Sequence, residues 1–269
     1  MKLTHKLCGA VLLAAVGVAV AVPGITKADA EADKQFAGDM DIQFTANSDD
    51  NTDTSRPDLT DPDGNSDSDI ISGTITRPLR PVIFGIQDVT PLSFGKQAIV
   101  TDGNDRVFWA KNYEEPNGVM ANNVAIKDVR NTLDHGYTLT AKITSPLTTM
   151  VKDGAKEVEQ NLAGATLYYR NIGVKTNVAE AIALPGSAVE EFATVQEGTE
   201  TVFVDNKKPK PEDEVYEKGQ GQSYIHFGKL NATGEFASTK SVRLTIGKEK
   251  SIFQGDYKGV VTWVMAEAK

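Results

Sequence analysis

The sequence has few of the residues that carry metal, thiol or redox chemistry. Among its 269 residues there are one cysteine and three histidines. The cysteine, Cys8, lies inside a predicted export signal, so the exported chain is expected to have no thiol, no disulfide and no thiolate metal ligand. Packing and hydrogen bonds alone must then hold the fold together.

Long apolar runs are also scarce, and the longest one is at the N-terminus. Residues 1–30 are predicted to be a secretory signal, with basic Lys2 and Lys6, an apolar run over 10–22 and a small-residue cleavage site at Ala28-Asp29-Ala30. No other stretch approaches the roughly 20 apolar residues that cross a bilayer. A lipid anchor would need a cysteine at the cleavage site. We therefore expect a secreted protein with no membrane partner after cleavage.

Basic residues are rare in one segment. Residues 31–69 contain twelve acidic residues against Lys34 and Arg56, whereas residues 70–269 are close to neutral. The composition of 31–69 predicts a disordered acidic linker. The body has no excess positive charge to attract nucleic acid or an anionic membrane, and its binding to any partner is expected to depend weakly on salt.

A calcium loop is the alternative interpretation of part of this linker. Acidic or amide side chains alternate there, at Asp61, Asp63, Asn65, Asp67 and Asp69. An EF-hand loop has its glycine at the sixth position and a glutamate at the twelfth. Counted from Asp61, the glycine is fourth and the twelfth residue is Ser72. The pattern favours a linker, with no metal or other cofactor.

Residues 70–269 are long enough for one hydrophobic core and have the alternation of β-strands. In the segment 137–144, Tyr137 and Leu139 lie on one face with Ala141 and Ile143, and threonine and lysine lie on the other. The segment 241–246 alternates in the same way. These patterns predict an all-β fold, an antiparallel β-sandwich or barrel-like domain. The unpatterned segments 171–199 and 205–221 are expected to be insertions, with a short helix over 177–184 or 187–194.

Catalytic groups are few in the mature chain. Its histidines, His135 and His226, lie in a probable turn and a strand pattern, and no hydrolase, phosphate-loop or zinc motif occurs. The sequence therefore predicts a protein that is not an enzyme.

Several segments carry a family resemblance. The chain closes on Tyr257-Lys-Gly-Val-Val-Thr-Trp263-Val-Met265, and an earlier segment runs from Val124 through Asp128 and Arg130 to Gly136-Tyr137-Thr-Leu139. Leu92-Ser-Phe94-Gly95 and Leu162-Ala-Gly-Ala-Thr-Leu167 stand between or before these motifs. In this order they resemble the WxL-domain surface proteins of lactobacilli, enterococci and listeriae, over residues 70–269. Tyr137 replaces the first tryptophan of that pattern, and Met265 replaces its last leucine.

The resemblance implies a cell-surface protein that binds the bacterial cell wall, through its peptidoglycan, without a covalent bond. The alternative function is that of a structural subunit or adhesin in a complex with other surface proteins. The alternation places Tyr257, Trp263 and Met265 on one apolar face and Tyr137 with Leu139 on another, which favours a structural role for these motif residues. Trp109 is the other candidate for glycan contact, with a core position as its alternative.

Overall fold

The computed structural model describes residues 35–45, 69–80, 82–176, 178–210 and 215–268. Over these ranges the chain forms seventeen strands. They are β1 (Gln35–Thr45), β2 (Ile71–Gly73), β3 (Phe84–Val89), β4 (Leu92–Ala98), β5 (Arg106–Trp109), β6 (Tyr113–Glu115), β7 (Gly118–Met120), β8 (Asn123–Asp128), β9 (Tyr137–Asp153), β10 (Lys156–Asn161), β11 (Thr166–Arg170), β12 (Ile172–Thr176), β13 (Phe192–Val195), β14 (Thr201–Asn206), β15 (Gly221–Phe227), β16 (Val242–Ile246) and β17 (Gly255–Glu267). The predicted all-β, mainly antiparallel fold is confirmed.

The largest sheet, the main sheet, has six strands in the order β10-β9-β17-β1-β4, with β14 also paired to β9. Its long central strand β9 alternates because its apolar side chains all face the core. Tyr137, Leu139, Ala141 and Ile143 are buried, whereas the threonines and lysine between them are half-buried. β17 lies antiparallel beside β9 and buries its alternate residues in the same way.

Two further sheets close the core. The second sheet has the order β13-β11-β16-β5, the third sheet β12-β15-β8-β3, and the inner faces of both meet the main sheet in one continuous hydrophobic cluster. A small sheet, β2-β7-β6, packs Ile71, Tyr113 and Met120 against Ala125 and Tyr224 of the third sheet. Strands β8 and β15 are therefore buried on both faces, which explains why their sequences lack a clean alternation.

Aromatic rings fill the centre of this core. The Trp263 ring lies 4.5 Å from the Phe203 ring, 6.0 Å from Tyr169 and 6.2 Å from Phe227, measured between ring centroids. These four side chains come from strands of all three larger sheets. Tyr169 meets Phe203 and Phe227 edge to face, an arrangement that aromatic pairs favour. The cluster ties the sheets together without any disulfide.

The prediction of a disordered linker over 31–69 is wrong for the first part of this segment. Residues Gln35–Thr45 form β1, which lies inside the main sheet between β17 and β4. Met40 and Ile42 of this strand are 1% exposed. Residues 46–68, with most of the calcium-loop candidates, lie outside the described residues. Asp69, the last candidate, has its carboxylate 3.0 Å from Lys229 Nζ.

The segment 171–199 is also more regular than expected, because it contains β12 and β13. β12 pairs with β15, and β13 pairs with β11. The expected helix over 187–194 is wrong, since this stretch holds part of a single 3-10 turn, Gly186–Ala188, and the start of β13. The alternative over 177–184 has only a hydrogen-bonded turn in the residues described there. No helix among the described residues is long and apolar enough to cross a membrane.

Candidate functional site

The residues of the family motifs all lie in the core. Tyr137, Leu139, Tyr257, Trp263 and Met265 are each at most 1% exposed. The two motif segments are neighbours, because Leu139 of β9 faces Met265 of β17 and Ala141 faces Trp263. In this conformation none of the five side chains offers a surface to a polymer outside the protein.

Hydrogen bonds hold the polar ends of the two motif tyrosines. The Tyr137 hydroxyl donates to the Gly219 carbonyl at 3.2 Å, and the Tyr257 hydroxyl accepts from the Phe253 N–H at 3.1 Å. Burial raises the pKa of the Tyr137 hydroxyl well above its usual range. These groups are satisfied within the fold, so the motifs stabilise the sheet pairing that surrounds them.

Trp109 has a different position. It lies at the end of β5, half-buried, and faces away from the core on the outer side of the second sheet. Three cationic groups surround its ring. Arg170 Cζ lies 5.0 Å from the ring centroid, Lys240 Nζ 5.3 Å and Arg243 Cζ 5.9 Å. These distances are within the range of cation–π attraction.

The same outer face carries two further aromatic rings. Tyr168 of β11 lies across from Arg243 of β16, whose Cζ is 4.9 Å from the Tyr168 ring centroid. The Phe192 ring of β13 lies 6.4 Å from Tyr168 and is 61% exposed. We call the outward side chains of Trp109, Tyr168, Phe192, Arg170, Lys240 and Arg243 the aromatic platform. It crosses four strands, a width of about 14 Å at the usual strand spacing.

Arg243 is the central cation of the platform and has no carboxylate partner among the described residues. Its Nε is buried without a hydrogen-bond acceptor in the part of the chain that the structure describes. Arg170 differs, since its Nε donates to the Lys240 carbonyl at 2.8 Å and its Nη1 lies 3.7 Å from Glu235. An unpaired guanidinium between two aromatic rings is suited to bind an anionic group of a ligand whose other parts stack on the rings.

Sequence reasoning found Trp109 but missed the rest of the platform. The alternation of Val242, Leu244 and Ile246 placed Arg243 on the outer face, and the structure agrees, with Arg243 half-buried beside three buried neighbours. The segment TLYYR contained an equivalent signal, because Tyr169 faces the core and Tyr168 must then face outward. Nothing local indicated that these side chains would be neighbours of Trp109.

The two histidines of the body are held inside the fold. His135 Nδ1 lies 3.1 Å from Asp128 Oδ2, and that buried carboxylate also pairs with Arg130 at 2.8 Å. His226 Nδ1 donates to the Gly228 carbonyl at 3.0 Å. Among the described residues, no group of three or more histidine, cysteine or acidic side chains is arranged to hold a metal ion.

Comparison with protein families gives a match over nearly the whole chain. A family model described as WxL domain surface cell wall-binding matches residues 31–268, nearly the whole chain. The match begins before β1, so it includes the strand that the sequence placed in a linker. No curated protein and no solved structure matches the chain.

Proposed function

The chain belongs to the WxL family of surface cell wall-binding domains, and from that premise we propose that it binds peptidoglycan through the aromatic platform. As a member of this family it is a cell-wall-associated surface protein that binds the wall. The proposal concerns which wall polymer it binds and which side chains make the contact.

The observation that carries the proposal is the position of Arg243 between Trp109 and Tyr168, with no ion-pair partner among the described residues. Peptidoglycan has sugar rings that can lie on aromatic faces, and its stem peptides carry carboxylates that a guanidinium can bind. The family motif residues are buried and make no such contact.

The outer face of the main sheet is a poorer candidate for the same polymer. A depression there is lined by Asp39, Asp41 and Asp256, with Lys258 beside them. Three carboxylates repel a polymer that itself carries carboxylates, whereas the platform attracts it.

We also propose that the protein acts by binding and not by catalysis, since His135 and His226 are buried and hydrogen-bonded within the fold. Nucleic acid and membrane lipid are not expected partners, because the mature chain is acidic overall. We propose other surface proteins as further partners, which would assemble on this domain once it is bound to the wall.

The test is co-sedimentation of the mature chain with purified Gram-positive peptidoglycan from which the phosphate-linked accessory polymers have been removed by acid. The parent should pellet with the wall. Trp109→Ala and Arg243→Ala should each weaken binding about tenfold, since each removes a contact of roughly 1–2 kcal/mol. Phe253→Ala is a matched control, because Phe253 is an exposed aromatic residue outside the platform.

Three outcomes would contradict the proposal. If a variant with both Trp109→Ala and Arg243→Ala binds like the parent, another surface makes the contact. If only the untreated wall pellets the protein, an accessory polymer is the ligand. If the protein pellets only after a companion surface protein is added, the chain is a subunit of a surface complex. Thermal unfolding of each variant must match the parent for any loss of binding to count.

A further inference from the structure

β1 has an unusual place in the main sheet. It lies between β17, to which it runs antiparallel with ten facing residue pairs, and β4, to which it runs parallel. Within the described residues β4 pairs with no other strand, so β1 alone connects β4 to the sheet. Removing β1 would expose the unpaired backbone of two strands at once.

The slot between β17 and β4 is shaped for the inward side chains of β1. Met40 and Ile42 are buried in the core, and Gly38 lies against Trp263. A Cβ atom at Gly38 would lie 3.1 Å from Val89 Cγ1, closer than most Cβ contacts in proteins, and at an ordinary contact distance of 3.6 Å from Trp263 Nε1. The slot therefore selects a strand with a small residue followed by two large apolar residues at alternate positions, and β1 has this pattern.

The covalent connection of β1 to the rest of the domain is long. Twenty-three residues, 46–68, separate β1 from Asp69, and they carry seven aspartates and one arginine. A chain of this length can span up to about 80 Å. A domain of some 200 residues is only about 40 Å across. The connection is long enough for β1 to enter the slot of a neighbouring molecule.

We propose that two copies of this chain exchange β1, so that the β1 strand of each copy fills the slot between β17 and β4 of the other. β1 makes the same contacts in its own slot and in the slot of another molecule. The tether therefore sets the equilibrium between single molecules and exchanged pairs. For a tether of this length the effective concentration is about 1 mM. Single molecules then dominate in dilute solution, and exchanged pairs form where the protein is dense, as on a crowded wall.

The lack of cysteine in the mature chain gives a direct test. Ala37 and Thr262 face each other across β1 and β17, and neither is buried. Facing residues of antiparallel strands have Cα atoms about 4.5–5.5 Å apart, within the span of a disulfide. A chain with Ala37→Cys is mixed with a chain with Thr262→Cys, partly unfolded, refolded together and oxidised.

The expected product is a disulfide-linked heterodimer on a non-reducing gel, well under one per cent at about 1 µM and on the order of a quarter at about 1 mM, because half of the exchanged pairs are mixed. Ala37→Cys mixed with Lys258→Cys is the control, since Lys258 faces Asp41 and not Ala37. This pair should give little heterodimer. The double variant with both cysteines in one chain should close the disulfide internally in dilute solution.

Two results would overturn the proposed exchange of β1 and leave the strand register intact. One is internal closure of the double variant with no heterodimer from the matched pair at about 1 mM, which would show that β1 stays with its own chain. The other is equal heterodimer from the matched and control pairs, which would show random contact. If the disulfide does not close within the double variant, the pairing of Ala37 with Thr262 is wrong, and the proposed exchange fails with it. Wall binding is measured separately and is unaffected by any of these outcomes.

Discussion

The two tryptophans of the chain illustrate two different uses of an aromatic side chain on a strand. Trp263 is 1% exposed and lies among the rings of Tyr169, Phe203 and Phe227. Trp109 is half-buried on the outer face of the second sheet, among three cations. The tryptophan of the family motif supports the fold, and the other one belongs to the proposed binding platform.

The physical difference lies in the neighbours two residues away along each strand. Trp263 has Val261 and Met265 beside it on the same face, and both are buried. Trp109 has exposed Val107 on its face. Apolar neighbours on one face require a covering layer, whereas a mixed face is stable in water. The family motif of this chain therefore marks the core, and the proposed binding surface lies on the outer side of a sheet.

Replacing the buried tryptophan should have the largest effect on stability. Trp263→Ala removes a large ring and leaves a cavity, which should lower the free energy of unfolding by about 3–5 kcal/mol. Trp109→Ala is the matched variant on the outer face and should cost about 1 kcal/mol or less. Denaturant unfolding measures both. A Trp263→Ala protein that unfolds like the parent but no longer pellets with wall would reverse the two roles.

A buried ion pair should make the interior sensitive to pH. Burial raises the pKa of Asp88 from its usual 3.8 to about 6, although Arg77 Nη2 lies 2.6 Å from its carboxylate. The folded protein thus holds this proton to higher pH than the unfolded chain does. The free energy of unfolding should fall as pH rises from about 4 to 6, by on the order of 3 kcal/mol.

Unfolding measured at intervals across that pH range tests this expectation, with Asp88→Asn as the comparison. The variant has no proton to release at this position, so its stability should change less over the same window. An equal decline in parent and variant would assign the pH dependence to other groups.

Restoring the family residue at the first motif should be unfavourable in this core. Tyr137 lies tightly against Gly219, where a Cβ atom would be only 2.9 Å from Tyr137 Cε1. Tyr137→Trp adds volume and removes the hydrogen bond to the Gly219 carbonyl, so it should lower stability by about 1–3 kcal/mol. Tyr137→Phe, which removes only the hydroxyl, should cost about 1 kcal/mol. A more stable Tyr137→Trp protein would show that the core has room for the larger ring.

The smallest effect is expected from salt. The near-neutral charge of the body predicted that binding depends weakly on salt. The platform modifies that expectation because Arg243 and Lys240 have no carboxylate partner among the described residues. Wall binding should weaken a few-fold between about 50 and 500 mM NaCl, as exposed charges are screened. Arg243→Gln should bind more weakly at low salt and lose part of this dependence. A parent that binds equally at both salt concentrations would remove the charged part of the proposed contact.

The fold was predicted correctly for strands with one clearly apolar face. It was predicted wrongly for β1, where the charge was summed over a longer segment. β9, β16 and β17 alternate clearly and were identified from sequence. β1 also alternates, with Phe36, Gly38, Met40 and Ile42 at every second position. Its aspartates were counted with those of the following segment, so the strand was assigned to the linker. Net charge over 31–69 concealed a period-two pattern within it.

The partners of short strands could not be predicted in the same way. β12 and β13 contain four or five residues each and are stabilised by pairing with β15 and β11. Such segments have little intrinsic preference for an extended backbone beyond what their neighbours impose. The segment 171–199 therefore looked like an unpatterned insertion.

The sequence by itself determined which side of each strong strand is apolar, and with it the all-β fold and the burial of Trp263, because side chains alternate strictly along a strand. Only the tertiary structure decided that Trp109, Arg243 and Tyr168 lie side by side. They come from three strands that are far apart in the chain, and they meet because the pairing of β5, β16 and β11 aligns them. Pairing register depends on how the whole core packs, and no local pattern in the sequence contains it.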